Sequence, residues 1–337
     1  YRLRGHGEGW IVGSRGEELL FRGDATGRLQ VDPLPSVEHR SGRETTSTRS
    51  SVPVPANHRP PLTTIWTREL AGPVSTWTQA GDGSAVVLGL RSGGIVFLDD
   101  GGRVKWQTDG PAPASAIRLT EDGLYVGTVA GQVCRLDVQT GAVQWCFTCT
   151  FRPERLFWPW WFLQTPLVGA LAVGRDAGRG RDIVVAGTGS TNLVFLDGSS
   201  GKLIEDVVST YGLPDRIQAH HSGDSGNLEF LIGHSRLTCG STVRAWKLMP
   251  NARVVTEYAE SLDPMGRSTD GWDNCGVVDF HVGALTNNGP DSVVVLRRGA
   301  VNQVTVYERA TGKPLWDATL GGPPVALVVL SGRSVAT

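Results

Sequence analysis

The sequence predicts an all-β fold, a β-propeller of four-stranded blades with six clear blades and a split or truncated seventh. Three observations lead there. Short runs rich in Val, Ile, Leu and Trp alternate with turn residues, among them 44 glycines in 337 residues, and helix-favouring runs are almost absent. One unit recurs along the chain: a strand, a Gly-containing turn, a strand ending in Asp, a second turn, and a strand with Trp. Its period, seen from Leu98 to Leu136, is about 40 residues, the length of a blade of four short strands. A two-sheet sandwich explains neither the period nor the repeated Asp-turn-Trp. Residues 1–337 are therefore expected to form one domain.

The copies follow in order. The first is Glu18–Phe21, a turn, then Leu29–Asp32, after which a long excursion precedes Trp66. The second runs Ala85–Leu88, Ile95–Asp99 and Gly102–Trp106, and the third runs Leu124–Val126, Val133–Asp137 and Ala142–Phe147. Gly127–Gly131 and Gly187–Ser190 read as turns. The fourth is Asp182–Val185, Leu193–Asp197 and Ser200–Ile204. A fifth, weaker copy has Leu228–Leu231, Val243–Trp246 and Val254-Val255, and the sixth has Ser292–Val295, Gln303–Glu308 and Thr311–Trp316. Innermost strands are expected at Val74–Thr78, Ala114–Leu119, Val168–Val173 and Val277–Val282. Pro323–Leu330 starts a further blade that Tyr1–Gly7 is placed to help close.

Asp137-Val-Gln-Thr-Gly-Ala-Val-Gln-Trp145 and Glu308-Arg-Ala-Thr-Gly-Lys-Pro-Leu-Trp316 resemble the D-x-x-T-G-x-x-x-W signature of PQQ-like (quinoprotein-type) β-propeller repeats. Asp99–Trp106 is the same signature one residue short, and the fourth copy has Glu205 where Trp belongs. The resemblance makes Asp99, Trp106, Asp137, Thr140, Gly141, Trp145, Glu308, Thr311, Gly312 and Trp316 blade-building residues, with each Trp docked on a neighbouring blade. Three further turns, Gly174–Asp182, Gly223–Glu229 and Thr286–Asp291, resemble those of FG-GAP propeller repeats. Those turns can hold calcium, but here they are short of the six to eight oxygens that it needs.

The five cysteines (Cys134, Cys146, Cys149, Cys239, Cys275) are an odd, scattered set that describes no disulfide framework. Cys146 and Cys149 have CxxC spacing, but on a strand they face opposite sides, so buried thiols are expected. The 32 basic and 33 acidic residues cancel to −1, which gives no footprint for nucleic acid. No apolar run in this segment is long enough for a membrane span.

Candidate binding residues lie where the repeat is interrupted. The polar stretch at about 32–62 reads as a surface loop. The insertion at about 151–166 holds Phe157, Trp158, Trp160, Trp161 and Phe162, flat rings suited to a protein surface or a pyranose face. His220 and His221, in an expected loop from Tyr211 to Asp224, and Asp270 and Asp273 are further candidates for ligand or partner contact. None has spacing that specifies a metal.

The expected function is a non-catalytic scaffold that binds or assembles protein partners. One alternative is a quinoprotein dehydrogenase with PQQ and calcium. Another is a carbohydrate-binding or carbohydrate-active propeller using the aromatic insertion and the acids near Asp270. No adjacent cysteines or acidic cluster mark the first, and no paired-carboxylate geometry marks the second, so no cofactor is predicted. A secreted, periplasmic or extracellular site is implied only by the family resemblance.

Overall fold

The computed structural model describes residues 9–15, 17–23, 28–33, 66–150, 166–178, 180–208, 213–222, 226–235, 242–248, 251–258, 276–284, 291–298, 302–320 and 327. The polar stretch from 34, the aromatic insertion, Asp270, Asp273 and Pro323–Pro324 lie outside the described residues, as do Tyr1–Gly7. Every regular element among the described residues is a β-strand, and no helix there is long and apolar enough to cross a membrane. The chain divides into two compact units, residues 1–107 and 108–337.

The first unit holds one antiparallel sheet of β1 (Gly9–Arg15), β2 (Glu17–Gly23), β3 (Arg28–Pro33) and β4 (Trp66–Glu69), in that order. A second sheet follows: β5 (Val74–Gln79), β6 (Ala85–Leu90), β7 (Gly94–Asp99) and β8 (Val104–Asp109), with the unit boundary inside β8. The second unit repeats the plan. β9 (Ala114–Leu119), β10 (Leu124–Thr128), β11 (Gln132–Leu136) and β12 (Val143–Thr148) make one sheet. β13 (Val168–Asp176), β14 (Arg181–Thr188), β15 (Asn192–Asp197) and β16 (Leu203–Val208) make the next. Two more sets of four follow: β17 (Leu213–Ser222), β18 (Asn227–Ser235), β19 (Val243–Lys247) and β20 (Arg253–Tyr258), then β21 (Gly276–Ala284), β22 (Asp291–Arg298), β23 (Gln303–Glu308) and β24 (Pro314–Thr319). A single bridge, Ser235↔Gly276, joins these two sets into one eight-stranded sheet. Each set is a meander of neighbouring antiparallel strands.

Burial explains the sequence texture. The middle strands β6, β7, β10 and β15 are buried at every position, because both faces of the sheet are covered, so they read as unbroken apolar runs. The fourth strands β8 and β12 show only every second residue partly covered, so apolar and polar residues mix there. The core lies between successive sheets. Ile183, Val185, Leu193 and Phe195 of one sheet cluster with Ile217, Phe230, Ile232 and Trp246 of the next. Val133 and Tyr125 likewise join Val168, Leu171, Val184 and Leu196.

Several expectations are corrected. Tyr211–Asp224 is not a loop across its described part: residues 213–222 form β17, which completes the fifth set. Gly127 and Gly187 are not turn residues but lie inside β10 and β14. A Cβ on Gly127 would stand 2.4 Å from Val168 Cγ1, and one on Gly187 would stand 2.1 Å from the Pro214 carbonyl oxygen. The first strand of the next set passes over these positions, which is why they carry no side chain. The cysteines also differ from expectation. Cys134 and Cys146 are direct cross-strand partners in the β11–β12 ladder, with Cα atoms 4.1 Å apart, and they form a disulfide. The spacing suits a non-hydrogen-bonded pair. Cys149 is a buried free thiol in the cluster with Val133 and Val168, and burial pushes its pKa up to about 12.

Candidate functional site

The signature residues build turns and seams. Asp137 Oδ1 accepts the backbone N–H of Gln139 and Thr140 and the Thr140 hydroxyl, each within 3.0 Å. Gly141, at φ +73°, closes the turn by donating to the Asp137 carbonyl. Asp197 repeats the plan with Ser199 and Ser200, and Glu308 with the Thr311 hydroxyl. These hydrogen bonds hold the Asp137 and Asp197 carboxyls below the usual carboxylate range.

Each turn receives the preceding sheet. Trp145 Nε1 donates to the Gly198 carbonyl at 3.2 Å, and its ring lies where a Cβ on Gly201 would be, 2.6 Å from Cε3. In the first unit Trp66 does the same: its Nε1 donates to the Asp100 carbonyl, and its ring covers Gly102. The expected docking of the Trp on a neighbouring sheet is thus observed at both positions. Glu205, paired with Phe195 as Trp145 is with Arg135, accepts the Ala252 N–H at 2.8 Å. The acid therefore keeps the seam by a hydrogen bond where an indole would keep it by packing. At the next seam the Tyr258 hydroxyl donates to the Arg309 carbonyl at 2.7 Å. Trp106 packs against Phe97 of its own sheet, with ring centroids 5.2 Å apart. Trp316 is 55% exposed.

Among the candidate binding residues, His220 and His221 are described, and they are adjacent on β17, so they point to opposite faces. His220 Nε2 meets Asp291 Oδ2 at 3.1 Å, while His221 Nε2 donates to the Arg175 carbonyl at 2.7 Å on the other side. They do not converge on one ligand. His220 joins a charged seam: Glu229, buried, pairs with Lys247 at 3.2 Å and with Arg309. Burial holds the His220 imidazole below its ordinary pKa. Arg175 pairs with Asp182 at 3.2 Å across the turn that resembles FG-GAP repeats. Among the described residues no group of three or more His, Cys, Asp or Glu could hold a metal.

The site that sequence reading missed lies on the first strands. Each of β5, β9, β13, β17 and β21 skips one residue in its register with the second strand: Ser75, Ser115, Gly169, Asp215 and Val278. Such bulges re-aim the residues that follow. The next position is Thr76, Ala116, Ala170, Arg216 and Asp279, and two further along stand Thr78, Arg118, Ala172, Gln218 and His281. Small residues dominate until β17 and β21 substitute Arg, Gln, Asp and His. Arg118, Arg216, Gln218 and Asp279 line a cavity of about 280 Å³ with Ala172 and Phe280 among its walls. Arg216 Nε donates to the Val278 carbonyl at 3.0 Å, and Arg118 Nη1 to its own strand's Ile117 carbonyl at 3.1 Å. Asp279 Oδ1 accepts the Phe280 N–H at 3.0 Å. Aligning the first strands at their bulges would have exposed this departure.

Comparison with known proteins fits this architecture. Residues 62–212 match a family model of the PQQ type, described as outer membrane protein assembly factor BamB. No curated protein sequence matches the chain. Among solved structures, BBS1N in complex with ARL6DN aligns at TM-score 0.59 and 11% identity, over 95% of this chain and 82% of that one. The β-propeller domain of Cps50 (Swd1) from Myceliophteria thermophila aligns at 0.58 and 11%, over 94% and 87%. BamB from Moraxella catarrhalis aligns at 0.47 and 16%, over 76% and 67%. The likeness to the first two is one of fold.

Proposed function

We propose that this chain, built of PQQ-like β-propeller repeats, is a non-catalytic scaffold that binds or assembles protein partners. The observation that carries the reading is the use made of the signature: Asp137, Thr140, Gly141 and Trp145 serve turn and seam, leaving recognition to departures from the repeat. The matching family is named for an assembly factor, and BBS1N was crystallised with a protein partner, which supports the same direction. The proposal takes residues 1–337 as one propeller domain of six blades plus a split or truncated seventh. Exposed Trp316 supports the further blade, since Trp145 at the same signature position is covered by the next sheet's turn. The partner surface proposed is the aromatic insertion with Phe157, Trp158, Trp160, Trp161 and Phe162. No cofactor is needed for this role.

The test uses the purified chain as bait beside a variant lacking residues 156–162. A partner held by the intact chain, lost on deletion and rebound when both proteins are purified supports the scaffold. Dye-linked alcohol oxidation after addition of PQQ and calcium would overturn it. So would saccharide binding abolished by Trp160→Ala or Trp161→Ala.

A further inference from the structure

The cavity on the first strands of the second unit is an unusual place for charge. Its walls come from β9, β13, β17 and β21. At the positions after the bulges, β9 and β13 carry Ala116, Ala170 and Ala172, and this small-residue rule leaves the space that the cavity occupies. Into it come two guanidiniums and one carboxylate: Arg118, Arg216 and Asp279. Two like charges beside one opposite charge leave an excess positive charge in a partly enclosed volume, which is costly without a counter-anion.

The partners of these groups matter more than their number. Arg118 is solvent-accessible through the cavity, donates to a carbonyl of its own strand, and has no carboxylate at ion-pair distance among the described residues. Arg216 is anchored by Nε on the Val278 carbonyl, which fixes its plane. A guanidinium so held presents a fork matched to a carboxylate or a phosphate. Asp279 uses Oδ1 on the Phe280 N–H, and its remaining lone pairs suit a hydroxyl or ammonium donor on the same ligand. Burial and the charge of Arg216 both press the Arg118 pKa down from its usual value, the direction that a bound anion would reverse.

We infer that this cavity binds a small anion bearing a carboxylate or phosphate group, gripped by Arg118 and Arg216 with Asp279 beside it. The inference is independent of the scaffold role, because the cavity residues lie outside the aromatic insertion.

Titration calorimetry of the full chain with inorganic phosphate and with citrate, at ionic strength matched by sodium chloride, tests it. Saturable heat with either probe is expected. Phosphate alone would assign a phosphate ligand and citrate alone a carboxylate ligand, and either supports the site. Arg118→Gln should weaken binding at least tenfold while leaving the melting temperature of the unliganded chain unchanged, and Arg118→Lys should retain part of the affinity. Arg216→Gln should weaken binding too, but it also removes a strand-to-strand hydrogen bond, so Arg118→Gln is the decisive variant. Binding no stronger than that of chloride, or equal affinity in the folded Arg118→Gln chain, would overturn the inference.

Discussion

The seam between Trp145 and Gly201 can be tested by a double-mutant cycle whose sign is fixed in advance. Trp145 is half-buried, so about 125 Å² of a roughly 250 Å² indole is removed from water. At ~25 cal/mol per Å², truncation to Ala costs about 3 kcal/mol. The hydrogen bond adds little, because the Gly198 carbonyl keeps the Tyr125 hydroxyl (3.4 Å) and Arg135 Nη1 (3.2 Å). Trp145→Phe should therefore cost about 1 kcal/mol or less. Gly201→Ala meets two penalties: a left-handed φ of +69°, worth roughly 1–2 kcal/mol, and a Cβ placed 2.6 Å from the indole, worth roughly 1–3 kcal/mol. With Trp145→Ala already present the second penalty disappears. The double variant should then be more stable than the sum of the singles by about 1–3 kcal/mol. Urea denaturation followed by circular dichroism gives the four free energies, and amide exchange in β14–β16 gives the local one. Additivity within about 0.5 kcal/mol would refute the assignment of Gly201 to ring docking.

Other expectations follow from the same geometry. Glu205→Ala should cost about 1–2 kcal/mol and Glu205→Gln clearly less, since Gln still accepts the Ala252 N–H; thermal melts of both separate the two. Opening the Cys134–Cys146 bond, whose partners are 12 residues apart, should cost about 3 kcal/mol, read as the loss on Cys134→Ser. Peptide mapping of the unreduced chain should recover the β11 and β12 peptides joined. Acid should weaken the turns. Asp137 and Asp197 bind protons less well folded than unfolded, so their contribution is full above the ordinary carboxylate pKa near ~4 and lost as pH falls below it. Asp197→Asn should flatten that acid limb in melting temperature against pH. His220, also lowered, adds a loss that begins as pH falls through its unfolded pKa near ~6.5, and His220→Gln should remove that part.

The repeat was legible because each of its residues answers a local need. Asp137 and Gly141 make a turn, Trp145 fills a seam, and continuous apolar strands mean two covered faces. What escaped reading depends on partners distant in sequence. Cys134 and Cys146 look scattered until the β11–β12 register sets them opposite. Gly127 and Gly187 resemble turn glycines until Val168 and Pro214 arrive over them. His220 and His221 resemble a ligand pair until β17 turns them apart, toward Asp291 and Arg175. Arg118, Arg216 and Asp279 sit in three strands spread over about half the chain, and they share one cavity only because the first strands lie side by side.

These cases suggest where a repeat of this kind keeps its individuality. A seam position can change its chemistry and still secure the turn that follows, by an indole at Trp145, a carboxylate at Glu205 or a phenol at Tyr258. Such substitutions are tolerated because the turn offers backbone donors and acceptors that many side chains can meet. The first-strand positions behave differently. There the neighbouring strands offer small side chains and a cavity, and Arg118 or Asp279 contributes nothing that Ala116 or Ala170 lacks for packing. A charge drawn into a cavity without a packing role is a cost to folding, and the simplest compensation is a ligand of opposite charge. The Arg and Asp substitutions on β9, β17 and β21, more than the shape shared by the blades, mark what this chain does differently from its own repeat.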